Sequence, residues 1–427
     1  MTYDIVIRNT EIISKNDGKE YNIGIQGNRI AAISESPLEG RYIIDGFDKI
    51  AVPGMVNAHT HTAMTLFRSY ADDMVLMDWL QNKIWPAESN LTGEDVYWGT
   101  QLAIAEMLKT GCTCFADMYF FMDETAQAVE ETGFRASLSR GITGAGKEAD
   151  ERIKENVELF KKWHNAAEGR IKVMLGPHAI YTCPKETLLK IVNTAQKIGA
   201  EIHMHLSETK GEVDDCYKQN GVSPVAYLNN LGLFEVGTLA AHCVHVSEDD
   251  MAIMATKHVR VVHNPQSNLK LASGFAPIMD MKEHNVLVAL GADGASSNNN
   301  LDMLEEARIA SFLQKNITGD PTVFPAKETL AMVTENGYKA LDFADLGEIK
   351  VGNIADVVLY DMNKPQWYPR NDRYSLFIYA ASASDADTVL VNGKVLMEKG
   401  KLLTIDLAKV YAEVNKRAKR LVNNVRE

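Results

Sequence analysis

One stretch of the chain, AVPGMVNAHTH at residues 51–61, brings a strand, a turn and two histidines together. Residues 51–56 have the apolar composition of a buried strand, and His59 and His61 follow at its end. Because residues i and i+2 of a strand point to the same side, the two imidazoles face one region. A metal held at about 2.0–2.1 Å from a nitrogen of each ring can lie between them. The stretch therefore predicts a first strand with a candidate metal site at its end.

Seven further short apolar runs follow, separated by stretches with helical periodicity. The eight predicted strands cover residues 51–56, 113–117, 134–138, 171–175, 201–205, 238–242, 259–263 and 286–290. Amphipathic helices are predicted between them, for example at residues 95–109, 149–163 and 185–197. About eight β/α units in about 290 residues predict an α/β fold with a TIM-type (β/α)8 barrel, which typically needs ~250 residues plus insertions. A doubly wound open sheet is the alternative fold.

Both ends of the chain have the alternating pattern of β strands. Gly27-Asn28 and Asn392-Gly393 are hairpin signals between such runs. The simplest organisation is a small β-sandwich domain composed of residues 1–50 and 346–405, with the barrel, residues 51–345, inserted between its halves. Residues 406–427 are predicted to form a C-terminal amphipathic helix, whose basic residues, among them Arg417 and Arg420, are expected to form a solvated face.

Composition excludes several classes of function. The chain of 427 residues has 44 Lys and Arg against 57 Asp and Glu, a net charge of −13, which argues against a nucleic-acid partner. No apolar run approaches the ~18 residues of a membrane span, and the N-terminus lacks the pattern of a signal peptide. Five scattered cysteines do not form a disulfide framework. We therefore expect a cytoplasmic protein with no membrane partner.

Histidines gather at the predicted strand ends, which in a TIM barrel build the active site. They are His59, His61, His178, His205, His242 and His263. Asp293, flanked by small residues after the eighth strand, adds an oxygen ligand. With His59, His61 and His205 it gives three nitrogens and one oxygen, a set that suits Zn²⁺ and also permits Fe²⁺.

Other groups near these strand ends have different predicted roles. Glu208, three residues after His205, places an acid/base group beside a ligand, and His242 fits a role in orienting a water by a hydrogen bond. His203 faces the same side as His205 but deeper, so we expect it to be packed in the barrel interior. No lysine ends the strand at residues 171–175, where binuclear barrels often place a metal-bridging lysine, and this favours one metal.

Five motifs together resemble the amidohydrolase superfamily and, within it, the 5-methylthioadenosine/S-adenosylhomocysteine deaminase family. They are PGMVNAHTH (53–61), HMHLSET (203–209), AAHCVH (240–245), VVHNPQSNLKLASG (261–274) and GADGASSNNNLDM (291–303). The similarity runs nearly end to end and includes the split β domain. Single motifs are shared with guanine and cytosine deaminases and triazine chlorohydrolases, whereas the combination is more specific.

The resemblance implies metal-dependent hydrolytic deamination of 5′-thio-substituted adenosines, giving the inosine-type nucleoside and ammonia. It implies one zinc ion per chain, with ligands His59, His61, His205 and Asp293. It further implies that Glu208 shuttles a proton from the attacking water to a ring nitrogen. His242 would orient that water, and Asp293 would pass a second proton to the departing ammonia.

The resemblance also implies a set of substrate contacts, in addition to Glu208 and Asp293. Glu88 would accept hydrogen bonds from the ribose hydroxyls, and His178 would meet the adenine ring. Arg140 and Arg152 would lie near the amino-acid tail of S-adenosylhomocysteine, although Arg152 also fits a charged helix face.

Three alternatives remain open at this stage. The first is another amino-heterocycle deaminase, acting on adenosine, guanine or cytosine, or a chlorohydrolase on the same scaffold. The second is a non-catalytic scaffold, which would be expected to have lost ligands, and none is missing here. The third is a hydrolase with two metals. The sequence does not decide between a monomer and a homo-oligomer.

Overall fold

The computed structural model describes residues 2–423 and contains two sheets of nine strands each within that range. The strands are numbered β1–β18 in chain order. The first sheet, built from both ends of the chain, contains β1 (Thr2–Ile12), β2 (Tyr21–Gln26), β3 (Arg29–Ser34), β4 (Glu39–Asp45), β5 (Lys49–Pro53), β15 (Val357–Asp361), β16 (Ala386–Val391), β17 (Lys394–Glu398) and β18 (Lys401–Leu402). The two halves join where β5 pairs antiparallel with β15.

The second sheet is parallel, and its strands neighbour one another in chain order. It contains β6 (Met55–His61), β7 (Cys112–Tyr119), β8 (Arg135–Ile142), β9 (Ile171–Pro177), β10 (Ile202–Leu206), β11 (Thr238–His242), β12 (Arg260–His263), β13 (Leu287–Leu290) and β14 (Asp293–Gly294). The short β14 pairs with β6, Asp293 opposite Thr60, and so connects the last strands to the first. The predicted TIM-type barrel with a small β-sandwich domain from both termini is confirmed.

Helices follow most of the barrel strands, and a further helix ends the described chain. Those of seven residues or more are Gly93–Lys109, Met122–Thr132, Gly146–Trp163, Lys185–Ile198, Lys210–Asn220, Pro224–Asn230, Glu248–Thr256, Met303–Thr318, Ala326–Val333 and Leu407–Asn423. Lys185–Ile198 buries Leu188, Ile191, Val192 and Ala195, the spacing of one helical face packed on the sheet. None of the helices in the described range is long and apolar enough to cross a membrane.

The structure divides the strand predicted at residues 51–56 in two. β5 ends at Pro53 in the terminal sheet, and β6 begins at Met55 in the barrel. Gly54 between them is required by close packing, because a Cβ there would lie 1.9 Å from Oγ1 of Thr113. One continuous apolar run therefore serves both domains.

The C-terminal helix, Leu407–Asn423, packs against the outside of the barrel. It packs on the helix Gly93–Lys109, where Nη1 of Arg417 donates to Oδ1 of the buried Asp95 at 3.1 Å, and Arg420 also donates to this carboxylate. Arg417 is buried, so the expectation that the basic residues of this helix form a solvated face is wrong for it. Residues 424–427 of the predicted segment 406–427 lie outside the described residues.

Candidate metal centre and active site

Four predicted ligands converge where the barrel strands end. They are His59 and His61 on β6, His205 on β10 and Asp293 on β14, and one ligand atom of each lies within 4.8 Å of the others. Oδ1 of Asp293 lies 3.4 Å from Nε2 of His59 and 3.2 Å from Nε2 of His61. The buried Nε2 of His59 has no hydrogen-bond partner by geometric criteria among the described residues. A cation among these atoms would satisfy it, so the donor set fits a metal ion.

The outer ring nitrogens orient two of these histidines. Nδ1 of His61 lies 2.6 Å from the carbonyl oxygen of Met118, and Nδ1 of His205 lies 2.8 Å from that of His178. A carbonyl oxygen only accepts, so both Nδ1 atoms donate. Nε2 of each ring consequently points into the group of ligands, 3.3 Å from its counterpart.

Burial and one carboxylate set the electrostatics of the group. Burial lowers the pKa of His59 to about 3 and that of His205 well below its ordinary value. Burial would also lower the pKa of His61, but hydrogen bonding to Asp293 raises it to about 9. Burial opposes ionisation of Asp293, yet the close contacts with the imidazoles of His59 and His61 hold its pKa well below the usual range. A proton on His61 therefore balances the carboxylate, and a bound divalent cation would displace it.

The second carboxylate oxygen of Asp293 accepts hydrogen bonds from two serine hydroxyls. Oγ of Ser267 donates to Oδ2 at 2.6 Å and Oγ of Ser297 donates at 3.0 Å, which leaves Oδ1 facing the histidines. Oγ1 of Thr60 donates to the carbonyl oxygen of Asp293 at 2.6 Å. Sequence analysis did not identify these hydroxyls, because serines and threonines after strands are common and only the folded register brings them to Asp293.

Two predicted catalytic side chains face each other beside the ligands. Oε2 of Glu208 lies 4.0 Å from Nε2 of His242, and both residues are buried. Nδ1 of His242 lies 2.9 Å from Oδ1 of Asn268 and donates to it, so its Nε2 is directed at the site. Burial raises the pKa of Glu208 above its ordinary value.

A second carboxylate holds the backbone of Glu208. In the helix Lys210–Asn220, Oε1 of Glu212 accepts from the amide of Ser207 at 3.0 Å, and Oε2 accepts from the amide of Glu208 at 2.9 Å. Ser207 has a φ of 51°, a left-handed conformation that these hydrogen bonds help to maintain. Glu212 was not predicted from the sequence; the only signal was its place three residues after Thr209, the residue that caps this helix.

A cavity of about 870 Å³ opens in front of the ligands. Its lining includes the remaining predicted site residues, Glu88, Arg140, Arg152, His178, Glu208, His242 and Asp293. The apolar part of the wall includes Leu76, Trp79, Leu80 and Trp85. These predicted residues thus line one space together with apolar side chains.

Glu88 and His178 are both half-buried ionisable groups of this cavity. Burial raises the pKa of Glu88 to about 7, against the opposing effect of a 2.6 Å hydrogen bond from the hydroxyl of Tyr119. Burial lowers the pKa of His178 to about 4, so this imidazole is neutral at physiological pH. Nδ1 of His178 lies 2.9 Å from Oγ1 of Thr182, which fixes the orientation of the ring.

The two arginines of the cavity have acidic partners. Nε of Arg140 donates to Oε2 of Glu155 at 2.6 Å. Arg152 pairs with Glu148 and donates to the carbonyl oxygen of Thr143 at 2.7 Å. Both guanidinium groups are therefore held in place at the wall of the cavity.

The chain is similar to known proteins over most of its length. The model of the amidohydrolase family matches residues 50–396. A 5-methylthioadenosine/S-adenosylhomocysteine deaminase of Moorella thermoacetica is 49% identical over 95% of this chain and 94% of its own length. The same-named protein of Dictyoglomus turgidum is 50% identical over 97% and 98%.

Solved structures give the same picture. An adenosine deaminase from Xanthomonas campestris with bound zinc superposes with a TM-score of 0.93 at 34% identity, covering 98% of this chain and 99% of that one. An atrazine chlorohydrolase from Arthrobacter aurescens, complexed with zinc, superposes with a TM-score of 0.88 at 22% identity, covering 97% of this chain and 100% of that one. The second likeness concerns the fold alone.

Proposed function

The chain belongs to the amidohydrolase family and, within it, to the 5-methylthioadenosine/S-adenosylhomocysteine deaminases, and from this membership we propose that it hydrolytically deaminates 5′-thio-substituted adenosines. The products are the inosine-type nucleoside and ammonia. The observation that carries the proposal is the shared cavity, which Glu208, Asp293, Glu88 and the two arginines line together.

The metal of this reaction is one Zn²⁺ per chain, held by His59, His61, His205 and Asp293. Three neutral imidazole nitrogens and one carboxylate suit zinc, and the same donor set permits Fe²⁺. When bound, the ion supplies Lewis acidity that lowers the pKa of a water towards ~7. The unpartnered Nε2 of His59 supports its placement.

The chain's own groups move the protons. Glu208 takes a proton from the attacking water and gives it to a ring nitrogen, which makes the amino-bearing carbon electrophilic; its raised pKa suits both steps. Nε2 of His242, 4.0 Å away, orients the water by a hydrogen bond. The carbon–oxygen bond forms at that carbon. Asp293 accepts the second proton of the water and passes it to the amino group, which leaves as ammonia when the carbon–nitrogen bond breaks.

The cavity fits a nucleoside with a long 5′-substituent. Its 870 Å³ lies near the upper end of the range of about 300–1,000 Å³ for small-molecule sites, larger than a free base needs. Glu88 accepts hydrogen bonds from the ribose hydroxyls, and neutral His178 meets the purine. The apolar wall receives the thioether, while Arg140 and Arg152 pair with the carboxylate of an amino-acid tail.

The test is a substrate panel combined with a metal count on the same sample. Methylthioadenosine, S-adenosylhomocysteine, adenosine, guanine, cytosine and atrazine are incubated separately, and ammonia and the product are measured. We expect release of ammonia from the thio-nucleosides with about one metal per chain. Turnover of guanine, cytosine or atrazine without turnover of any nucleoside would refute the proposed substrate class, and two metals per chain would refute the single-ion centre.

A further inference from the structure

A line of hydrogen-bonding side chains runs behind the ligand His59 through the barrel interior. Nδ1 of His59 on β6 lies 2.8 Å from Nε2 of His203 on β10. Nδ1 of His203 lies 3.3 Å from Oγ of Ser139 on β8. All three side chains are completely buried. His203 thus bridges a predicted metal ligand and a hydroxyl on another strand, which is more than the packing role expected from the sequence.

This support differs in kind from that of the other two histidine ligands. The Nδ1 atoms of His61 and His205 donate to backbone carbonyl oxygens, which are present whatever the side chains are. Nδ1 of His59 instead faces a side-chain nitrogen. The orientation of His59 therefore depends on the identity of residue 203.

The chemistry of the donor set fixes the direction of these hydrogen bonds when a metal is bound. Nε2 of His59 then carries no proton, so its single ring proton is on Nδ1 and is donated to Nε2 of His203. Because Nε2 of His203 accepts this proton, Nδ1 is the remaining donor of its ring, and it lies 3.3 Å from Oγ of Ser139. The opposite arrangement would place a proton on Nε2 of His59, pointing into the ligand group, where it would exclude a cation.

The neighbouring strand leaves room for Ser139 in this arrangement. Gly176 lies on β9, between β8 and β10, and a Cβ at position 176 would lie 3.0 Å from Cβ of Ser139 and 2.7 Å from the carbonyl oxygen of Arg140. A side chain there would push Ser139 out of its place beside His203. The absence of a side chain at Gly176 therefore leaves the space that Ser139 occupies beside His203.

We propose that His203 is a positioning residue that holds His59 in the orientation and tautomer required for metal binding, with Ser139 as the partner that orients His203 in turn. This inference rests on the metal centre of the proposed function, and it assigns no contact of His203 with the metal or the substrate. Partners of this kind typically contribute a factor of about 10–100 to metal affinity.

The experiment measures zinc affinity in competition with a chromogenic chelator, for the wild-type chain and for three variants stripped of metal. His203→Leu removes the acceptor, whereas His203→Gln places an amide oxygen near the position of Nε2. His164→Leu is the control, because His164 does not line the cavity and its Nδ1 accepts a hydrogen bond from the amide of Val173 on β9 at 3.2 Å. The visible spectrum of each Co²⁺-loaded protein reports the ligand geometry.

We expect His203→Leu to weaken zinc binding by about 10–100-fold and to alter the cobalt spectrum. His203→Gln should lie within a few-fold of the wild type, and His164→Leu should bind zinc like the wild type. Wild-type affinity in His203→Leu, or equal losses in the Leu and Gln variants, would overturn the inference. If His203→Leu does not fold, His203→Asn replaces it, because the shorter amide cannot reach His59; wild-type affinity in this variant would likewise overturn the inference.

The same measurement separates the inference from its premise. A wild-type chain that binds zinc while the Leu and Asn variants bind it equally well contradicts the role of His203 alone. A wild-type chain that takes up no metal contradicts the proposed function and, with it, the inference.

Discussion

The hydroxyl of Tyr119 donates a 2.6 Å hydrogen bond to Oε1 of Glu88 inside the substrate cavity. Glu88 ends the short helix Trp85–Glu88, and Tyr119 ends β7, so the bond joins a loop insertion to the barrel. One carboxylate oxygen is thereby fixed, and the other is left for a ligand. Tyr119 and Glu88 act as a unit in the wall of the cavity.

The ionisation of Glu88 predicts a pH dependence of substrate binding. Its pKa of about 7 lies above the ordinary value, so it is largely protonated at pH 6 and ionised at pH 8. Only the carboxylate accepts from both ribose hydroxyls while it also accepts from Tyr119, so KM for methylthioadenosine should fall about tenfold over this interval. The check is KM against pH for wild type and Glu88→Gln. If KM depends on pH in the same way in Glu88→Gln, or for a 2′,3′-dideoxy substrate, Glu88 does not bind the ribose hydroxyls as proposed.

Removal of the proton shuttle should separate turnover from metal binding. Glu208→Gln keeps the size of the side chain but cannot carry a proton, so kcat should fall by about 10²–10⁴-fold while the metal content stays at the wild-type level. Single-turnover kinetics and elemental analysis test the two parts. Glu186→Gln, an exposed glutamate on the helix Lys185–Ile198, is the control. Near-normal kcat in Glu208→Gln would exclude the role.

The backbone contacts of Glu212 predict that its substitution lowers kcat only through a displacement of Glu208. Glu212→Gln retains one acceptor oxygen but sets an amide N–H against the second backbone N–H, so the loop that carries Glu208 should be displaced. We expect kcat to fall about 10–100-fold with little change in KM. Because the variant acts through Glu208, the double variant with Glu208→Gln should be no slower than Glu208→Gln alone. If the decreases in kcat of the two single variants were fully additive in the double variant, Glu212 would not act through Glu208.

Loss of one imidazole should release the metal. His61→Ala removes a nitrogen and also the partner of Asp293, so the purified variant should contain less than about a tenth of the wild-type metal. Elemental analysis after gel filtration in metal-free buffer measures this. His258→Ala, an exposed histidine away from the site, should retain the full amount. Full occupancy in His61→Ala would remove this residue from the ligand set.

The arginines should discriminate between substrates. Arg152→Met removes a charge that would pair with a carboxylate tail, so KM should rise at least tenfold for S-adenosylhomocysteine and remain within about twofold for methylthioadenosine. Arg140→Met should behave in the same way. If Arg152 only stabilises its helix and the loop at Thr143, both substrates will be affected equally or not at all.

The barrel was largely predictable because each strand carries its own apolar pattern. The prediction at residues 238–242 coincides with β11, and the structure brings the predicted ligands His59, His61, His205 and Asp293 together. Contacts between distant segments were not predictable. Nothing near Tyr119 indicates Glu88, and nothing near Arg417 indicates Asp95, 322 positions earlier. Such pairs arise from packing after the chain has folded, and single-sequence patterns do not record them.

The pairing of β14 with β6 gives the ligand group an unusual place in the barrel. Asp293 and Thr60 face each other across the seam where the ends of the parallel sheet meet, so the carboxylate comes from one side and the imidazoles of His59 and His61 from the other. A cation held by Asp293 and these imidazoles would cross-link β14 to β6. Metal binding would then stabilise the folded barrel. The melting temperature of the chain should therefore rise with the concentration of free zinc.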